Sequence, residues 1–325
     1  MADATPEKAP SLADWLARRR ASGALLALTG PRGAGKSAAV RRWADAAGAD
    51  AAAVVDCARF ARLRLRRAAD IVARIRADAD GARTLFLDEP ASLSDPARVF
   101  ELLAADLPFR LCLVTSTARI LAPEALGPLG GPPDELRLRP DPGRTLGADA
   151  AQRLWDACLL RDVGGAGHLV NLRQEERLAQ LLWDARGDSV AARRLSDDLS
   201  FPGERLSPNS VEAYLRHLTD AYLVEKVSIY MWDKRRLCKS GYRYFFSDPA
   251  LGYGVFGPSP ADDARHDALN RAYLALVARG GPVRVAANFG EGWRFVTGEP
   301  GAGHALWRFG GARALVSDAG GRLVW

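Results

Sequence analysis

Apolar residues along the chain follow two rhythms, short unbroken runs and the three-to-four spacing of an amphipathic helix. Leu12, Trp15 and Leu16 recur at helical spacing behind Ser11 and Asp14, which resemble a capping box. A first helix is therefore expected to about Arg20, its closing Arg18, Arg19 and Arg20 suiting the negative end of the helix dipole. The apolar run that opens at Ala24 reads as a buried strand, Ala38 to Ala47 as a helix and Ala51 to Val55 as a second strand. From Arg59 to Arg76, Phe60, Leu63, Leu65, Ile71 and Ile75 are interleaved with Arg59, Arg62, Arg66 and Arg67, which predicts a helix with a solvated basic face. Further strands are expected from Thr84, at Arg110 to Val114 and at Glu135 to Leu138. Strands and helices that alternate through residue 140 imply a parallel sheet with helices on both faces.

Beyond the Gly/Pro-rich region from Gly127 to Gly143 the rhythm turns helical, from Asp149 to about Arg161, and Gly164-Gly165 breaks it. Three helix-sized segments follow, Glu175 to Ala185, Val190 to Leu199 and Pro208 to Tyr222. In the third, Ser207 is placed to cap, Pro208 suits the first turn, and Val211, Tyr214, Leu215, Leu218 and Tyr222 line one face. Val224 to Tyr230 and Arg243 to Phe246 read as strands around a basic turn from Asp233 to Lys239, and three helices followed by a hairpin outline a winged helix. The tail is expected to hold a helix from about Asp262 through Val277, then short strands at Val283 to Ala287, Trp293 to Val296, Ala305 to Phe309 and Ala314 to Val316. The expected division is an N-terminal helix over 1–20, an α/β domain over 21–148, a helical linker and winged helix over 149–257, and a small α/β domain over 258–325.

A chain of 325 residues suffices for two or three domains, and 48% hydrophobic with 26% charged residues is ordinary for a globular protein. The net charge of +6 permits a nucleic-acid partner without demanding one. Cys57, Cys112, Cys158 and Cys238 are far apart and form no C-x-x-C pair, and the four histidines are equally scattered. Neither a zinc site nor a disulfide framework is indicated, and a reducing cytoplasm fits that usage. No signal peptide and no apolar run long enough to cross a bilayer is evident, so no membrane partner is expected.

The chemistry concentrates where the first apolar run gives way to GPRGAGKS, with Gly30, Gly35, Lys36 and Ser37 in the fixed places of G-x-x-x-x-G-K-[ST]. The structural alternative is a glycine turn that merely precedes a helix. As a P-loop, the stretch Gly30, Pro31, Arg32, Gly33, Ala34, Gly35, Lys36, Ser37 and Ala38 would turn main-chain N–H groups and a helix N-terminus toward phosphate oxygens. Lys36 would reach the β- and γ-phosphates, and Ser37 would ligate Mg²⁺. About fifty residues on, an apolar strand ends in Asp88 and Glu89, a Walker B pattern: Asp88 would join the Mg²⁺ shell and Glu89 would polarise the attacking water. A second carboxylate favours ATP hydrolysis over storage of the nucleotide. The Arg110–Val114 strand ends in hydroxyls, and either Thr115 or Ser116 would sense the γ-phosphate, a helix cap being the alternative for both.

Arg216, Lys234, Arg235, Arg236, Lys239 and Arg243 are candidates for contact with double-stranded DNA or a partner. Asn209, Glu212, His217 and Asp220 on the same helix face dilute its charge, so a docked protein or self-association is the competing use.

Three segments together resemble the prokaryotic AAA-like ATPases whose C-terminal half is of the DUF4143 type: GPRGAGKS, LTDAYLVEKVSIY from Leu218 to Tyr230, and YRYFFSDPALGYGVFG from Tyr242 to Gly257. The resemblance spans about residues 20 to 275 and implies an AAA-like P-loop NTPase domain, a winged helix and a restriction-endonuclease-like α/β tail. Gly127-Pro128 stands where that family often carries a Gly-Arg pair, its candidate arginine finger, leaving Arg119 or Arg144 as substitutes. Gly292-Trp293-Arg294-Phe295 puts Arg294 in place of the family's metal-binding Asp, and no Glu-x-Lys follows at Ala305 to Arg308, so the tail is expected to be a degenerate, inactive nuclease fold. The expectation is an ATPase switch taking ATP and Mg²⁺, with a non-hydrolytic nucleotide-binding scaffold as the alternative and a small-molecule kinase disfavoured for want of an Arg-bearing lid.

Overall fold

The computed structural model describes residues 11–18, 25–48, 51–105, 110–164, 171–200, 205–231, 234, 236–258, 263–287, 294–298, 305–311, 314–317 and 322–324. Helix α1 (Leu12–Arg18) starts where the side chain of Ser11 accepts from the Asp14 amide at 3.1 Å, and it buries Trp15 and Leu16. Five strands follow, each separated from the next by helix: β1 (Leu26–Thr29), α2 (Lys36–Ala47), β2 (Ala52–Asp56), α3 (Ala58–Arg62), α4 (Ala68–Asp78), β3 (Thr84–Asp88), α5 (Pro96–Ala104), β4 (Arg110–Val114), α6 (Pro123–Leu126) and β5 (Asp134–Arg137). They pair in parallel in the order β2-β3-β4-β1-β5. Every residue of β1 and β3 is buried, because helices cover both faces: Trp15, Val40 and Phe86 pack on one side, Phe60, Ile71, Ile75 and Phe100 on the other.

The segment from Arg59 to Arg76 is two helices, α3 and α4, rather than one. The chain turns at Leu63–Arg67, where Arg64 takes a left-handed φ of 57° and the Leu65 amide donates to the Phe60 carbonyl at 3.0 Å. That turn swings Leu65 against the same core that holds Phe60 and Ile71. The partial burial of Leu65 works against the cost of the single unfavourable dihedral, about 1–2 kcal/mol.

The second half opens with α7 (Ala148–Ala157), which widens into a π-turn at Cys158–Val163, and continues through α8 (Leu172–Asp184), β6 (Ser189–Val190), α9 (Ala192–Leu199) and α10 (Pro208–Asp220). The hairpin β7 (Val224–Met231) and β8 (Arg236–Phe246) is longer than its sequence suggests, so Arg236 and Lys239 belong to β8, as Arg243 does, and not to a basic turn. Then come α11 (Pro249–Phe256), α12 (Asp263–Val277) and β9 (Val283–Ala287), β10 (Arg294–Thr297), β11 (Ala305–Gly311), β12 (Ala314–Ser317) and β13 (Arg322–Val324). Among the described residues the eight strands from β6 onward form one sheet, β13-β12-β11-β10-β9-β7-β8-β6, in which β7 runs parallel to β9 and the other pairs are antiparallel. The hairpin and the tail strands on either side of residue 257 therefore share one sheet, with α12 packed on it through Leu269, Tyr273 and Leu276.

Helix α11 carries the glycines of the SDPALGYG stretch, and packing explains Gly252 and Gly254. A Cβ on Gly252 would stand 2.3 Å from the Trp183 ring, and one on Gly254 would stand 2.3 Å from the Ala151 Cβ. Removal of two methyl groups lets α11 lie directly on α8 and α7.

Between α8 and α10, Glu175 is fully buried, 2.7 Å from His217 Nδ1, and burial raises its pKa to about 8 against the opposing pull of Arg119. A carboxyl so shifted binds a proton in the fold that it releases when unfolded above its ordinary value of 4.5. Stability from this group is complete below that pH and declines as pH rises through about 8. Glu175→Gln is expected to melt higher than the parent at pH 8.5 and with it at pH 5, a difference that thermal denaturation across pH measures; parallel curves would contradict it.

Candidate functional site

The C-terminal ends of parallel strands all face one edge of the sheet, and there the chain leaves β1 through Gly30 to Gly35 and enters α2 at Lys36. Gly30, Gly33 and Gly35 take φ of 133°, 81° and 87°, which side-chain-bearing residues rarely adopt. Gly30 has no room either, since a Cβ there would meet the Leu138 carbonyl oxygen at 2.0 Å. No side chain caps α2, so its first amides are left to an anion. Lys36 is buried, and its ammonium donates to the carbonyls of Gly30 at 2.8 Å and Pro31 at 3.0 Å, folding the loop around it. Burial lowers its pKa, while Glu89, Asp162 and Asp88 act to keep the charge.

Ser37, one residue on, donates to Asp88 Oδ1 at 2.9 Å. Asp88 is buried at the end of β3, and burial raises its pKa although Ser37 and Arg41 oppose that. Two hard oxygens in contact, one on a carboxylate at the end of a strand, fit Mg²⁺, which keeps most of its waters and takes phosphate oxygens besides. A hollow lined by amides, a helix N-terminus and one ammonium fits the phosphates of a nucleotide. Among the described residues no group of three or more His, Cys, Asp and Glu is placed to hold a metal by itself, so any ion here would depend on the phosphates for ligands.

Glu89 follows with φ 54° and ψ 57°, a left-handed conformation that costs a non-glycine residue roughly 1 kcal/mol or more. The conformation turns its carboxylate toward the end of β4, where the Ser116 hydroxyl lies 2.7 Å and 2.9 Å from its two oxygens. The two hydroxyls that sequence left as alternatives are thereby separated. Thr115 is fully buried and donates to the Thr117 carbonyl at 3.0 Å, away from Glu89, because its side chain serves the turn that ends β4.

The phosphate loop, the end of β3 and the end of β4 thus converge on one point, and β1, which carries the loop, lies between β4 and β5. This is the P-loop NTPase arrangement. Strand β4 lies between β1, which carries the loop, and β3, which carries Asp88. No protein-family model matches the chain, and no curated protein matches it in sequence. Among solved structures, variants of RuvB from Thermotoga maritima are similar at 14% identity with TM-score 0.30, over 63% of this chain and 82% of that one, and at 18% identity with TM-score 0.31, over 67% and 88%. A structure of Drosophila ORC bound to AT-rich DNA and Cdc6 is similar at 13% identity and TM-score 0.25, over 71% and 84%. Likenesses at those scores add nothing to the assignment, which rests on strand order and loop geometry.

Two residues that meet the phosphate loop come from the second half and were missed in the sequence. Asp162, in the π-turn, is 2% exposed and receives both Nε and Nη2 of Arg32, at 2.8 and 2.7 Å. Burial works against the Arg32 charge, but the paired bonds to Asp162 outweigh it and hold that pKa above the ordinary value. Asp248, at the start of α11, pairs with Arg144, whose Nη1 donates to the Gly33 carbonyl at 2.8 Å. The two substitutes considered for an arginine finger are accordingly engaged within the chain, Arg144 here and Arg119 on the Asp162 carbonyl at 2.5 Å. No motif marks Asp162, whereas Asp248 sits in the SDP stretch that carried the resemblance.

The structure describes five of the six DNA-contact candidates. Arg216, Lys234 and Arg236 are exposed, Lys239 lies in β8, and Arg235 lies outside the described residues. Arg243 is half-buried on β8, donates to the Gly187 carbonyl at 2.6 Å, and has its pKa lowered to about 10 by burial, so it is committed to the fold. Among the described residues no helix is long and apolar enough to cross a membrane.

The loop geometry generates a graded expectation. Gly30→Ala should cost at least about 2 kcal/mol, because it meets both a forbidden dihedral and a carbonyl. Gly35→Ala, with open space around its Cβ, should cost about 1–2 kcal/mol. Urea denaturation of the two variants decides the order, and equal midpoints would contradict it.

Proposed function

We propose that the chain is a Mg²⁺-dependent ATPase that works as a switch, and the observation that carries this reading is the meeting of Lys36, Ser37, Asp88 and Glu89 at one sheet edge. The loop amides of residues 30–38 and Lys36 hold the phosphates, and Ser37 and Asp88 hold Mg²⁺, which neutralises charge on the transferred phosphoryl group. Glu89 orients the attacking water, and Ser116 answers to the γ-phosphate through its contact with Glu89 rather than by a bond to the phosphate. The backbone at Glu89 directs its carboxylate to the end of β4 and within 3.7 Å of Arg32 of the phosphate loop, where an attacking water would stand. That feature favours hydrolysis over the non-hydrolytic scaffold.

The second half is the output. Its resemblance to DUF4143-type ATPases supports a winged helix in α8 to β8 and a degenerate nuclease-like tail, with Arg216, Lys234 and Arg236 exposed toward duplex phosphates or a protein partner.

Lys36→Ala is expected to abolish nucleotide binding in calorimetry, and Glu89→Gln to keep binding while turnover falls about a hundredfold or more, the scale of a lost general base. Phosphate release by Glu89→Gln at the parent rate would refute the role given to Glu89. For DNA, three phosphate contacts imply a slope near −3 in a plot of log K against log salt. A salt-independent isotherm would remove duplex DNA from the partners.

A further inference from the structure

One hydroxyl proton stands between two carboxylates in this site. Ser116 Oγ lies 2.7 and 2.9 Å from the Glu89 oxygens and 3.0 Å from Asp162 Oδ1, yet it has a single proton to donate. Asp162 can do without that proton while Arg32 supplies two N–H groups to it. Glu89 then receives it, and a carboxylate that accepts a hydroxyl on both oxygens is poorly placed to accept from water.

Arg32 is also the group a terminal phosphate would reach. It belongs to the phosphate loop, and its Nη2 is 3.7 Å from Glu89 Oε2. A base that orients water for attack on the γ-phosphate must stand close to that phosphate, so a guanidinium beside the base is within range of the same oxygens. Phosphate and carboxylate both suit the planar, two-pronged donor of arginine, so one can replace the other.

We infer that Asp162 is a positioning residue that makes the site discriminate triphosphate from diphosphate: it holds Arg32 until a γ-phosphate takes the guanidinium, then draws the Ser116 hydroxyl from Glu89. The inference rests on the ATPase reading of the site. A nucleoside diphosphate, lacking the competing oxygens, leaves Arg32 on Asp162 and Glu89 on Ser116. After the exchange Asp162 keeps Ser116, and Arg119, already on its carbonyl, stays beside it. The widened π-turn suits the task, since such turns reorient side chains within a helix and are frequent at functional sites.

The test titrates full-length protein, with Mg²⁺, against ADP and against an ATP analogue whose β- and γ-phosphates are bridged by nitrogen. Asp162→Asn keeps the shape and removes the competing charge. It should raise the ratio of analogue to ADP affinity by about tenfold, the scale of one charge-assisted hydrogen bond. Turnover of ATP should fall at the same time, because a neutral amide draws the Ser116 proton less well than a carboxylate. Arg32→Gln should lower the affinity ratio, and Asp162→Asn should add nothing in that background. Tighter analogue binding with slower turnover is a split that mere loosening of the fold would not give, and melting curves of the ligand-free variants confirm that each is folded. An unchanged or lowered ratio in Asp162→Asn, or additive effects in the double variant, would overturn the inference. Parent protein that binds neither nucleotide would instead overturn the ATPase reading beneath it.

Discussion

Parallel strands finish at a common edge, and that constraint makes everything else in the site possible. Loop residues from Gly30, the acids at Asp88 and Glu89, and the hydroxyl of Ser116 are far apart in the chain, yet β1, β4 and β3 lie side by side and deliver them to one layer. Asp88, Glu89 and Asp162 gather there with Lys36, Arg32 and Arg41, so each charge has an opposite one at hand. Burial acts against the charges on Lys36 and Asp88, which the neighbouring groups help to retain. A nucleotide bringing its own negative charge, and Mg²⁺ bringing positive charge, would each enter a site already poised near neutrality.

The second half is joined to that edge by ion pairs. Glu225 of β7 is met by Arg137 at 2.9 Å and Arg139 at 2.5 Å, at the end of β5 and just beyond it, and although burial opposes its ionisation the two arginines hold its pKa below the usual range. The Arg137 guanidinium also lies 4.4 Å from the centre of the Tyr222 ring. With Arg144 on Asp248 and Arg32 on Asp162, these contacts all start from β1, β5 or the segments that leave them. Buried ion pairs add little net stability, but removal of one partner is costly, so they fix one arrangement of the halves above others.

Where sequence was informative, the signal was local. Strand β4 at Arg110–Val114 and strand β9 at Val283–Ala287 coincide with their apolar runs, and Gly30, Gly35, Lys36 and Ser37 are recognisable because a phosphate loop needs its residues at fixed spacing. Where it was not, partners were distant. Thr115 and Ser116 are adjacent hydroxyls in sequence, and only the direction of Glu89 tells them apart. Asp162 looks like any surface acid of a helix until the π-turn aims it at Arg32. The basic turn after β7 was overestimated because charge obscures a strand when hydrophobicity is the guide, and Arg236 and Lys239 carry charge into β8.

The parallel pairing of β7 with β9 bears on where this chain can be cut. Ile229, Tyr230 and Met231 sit opposite Val285, Ala286 and Ala287, in the interior of a sheet that spans the division placed at residue 257. A protein ending there would bare the amides and carbonyls of β7 along a flank carrying Val227, Ile229 and Tyr230, all buried in the intact chain. Such an open flank recruits other chains, so the truncated form is prone to aggregate.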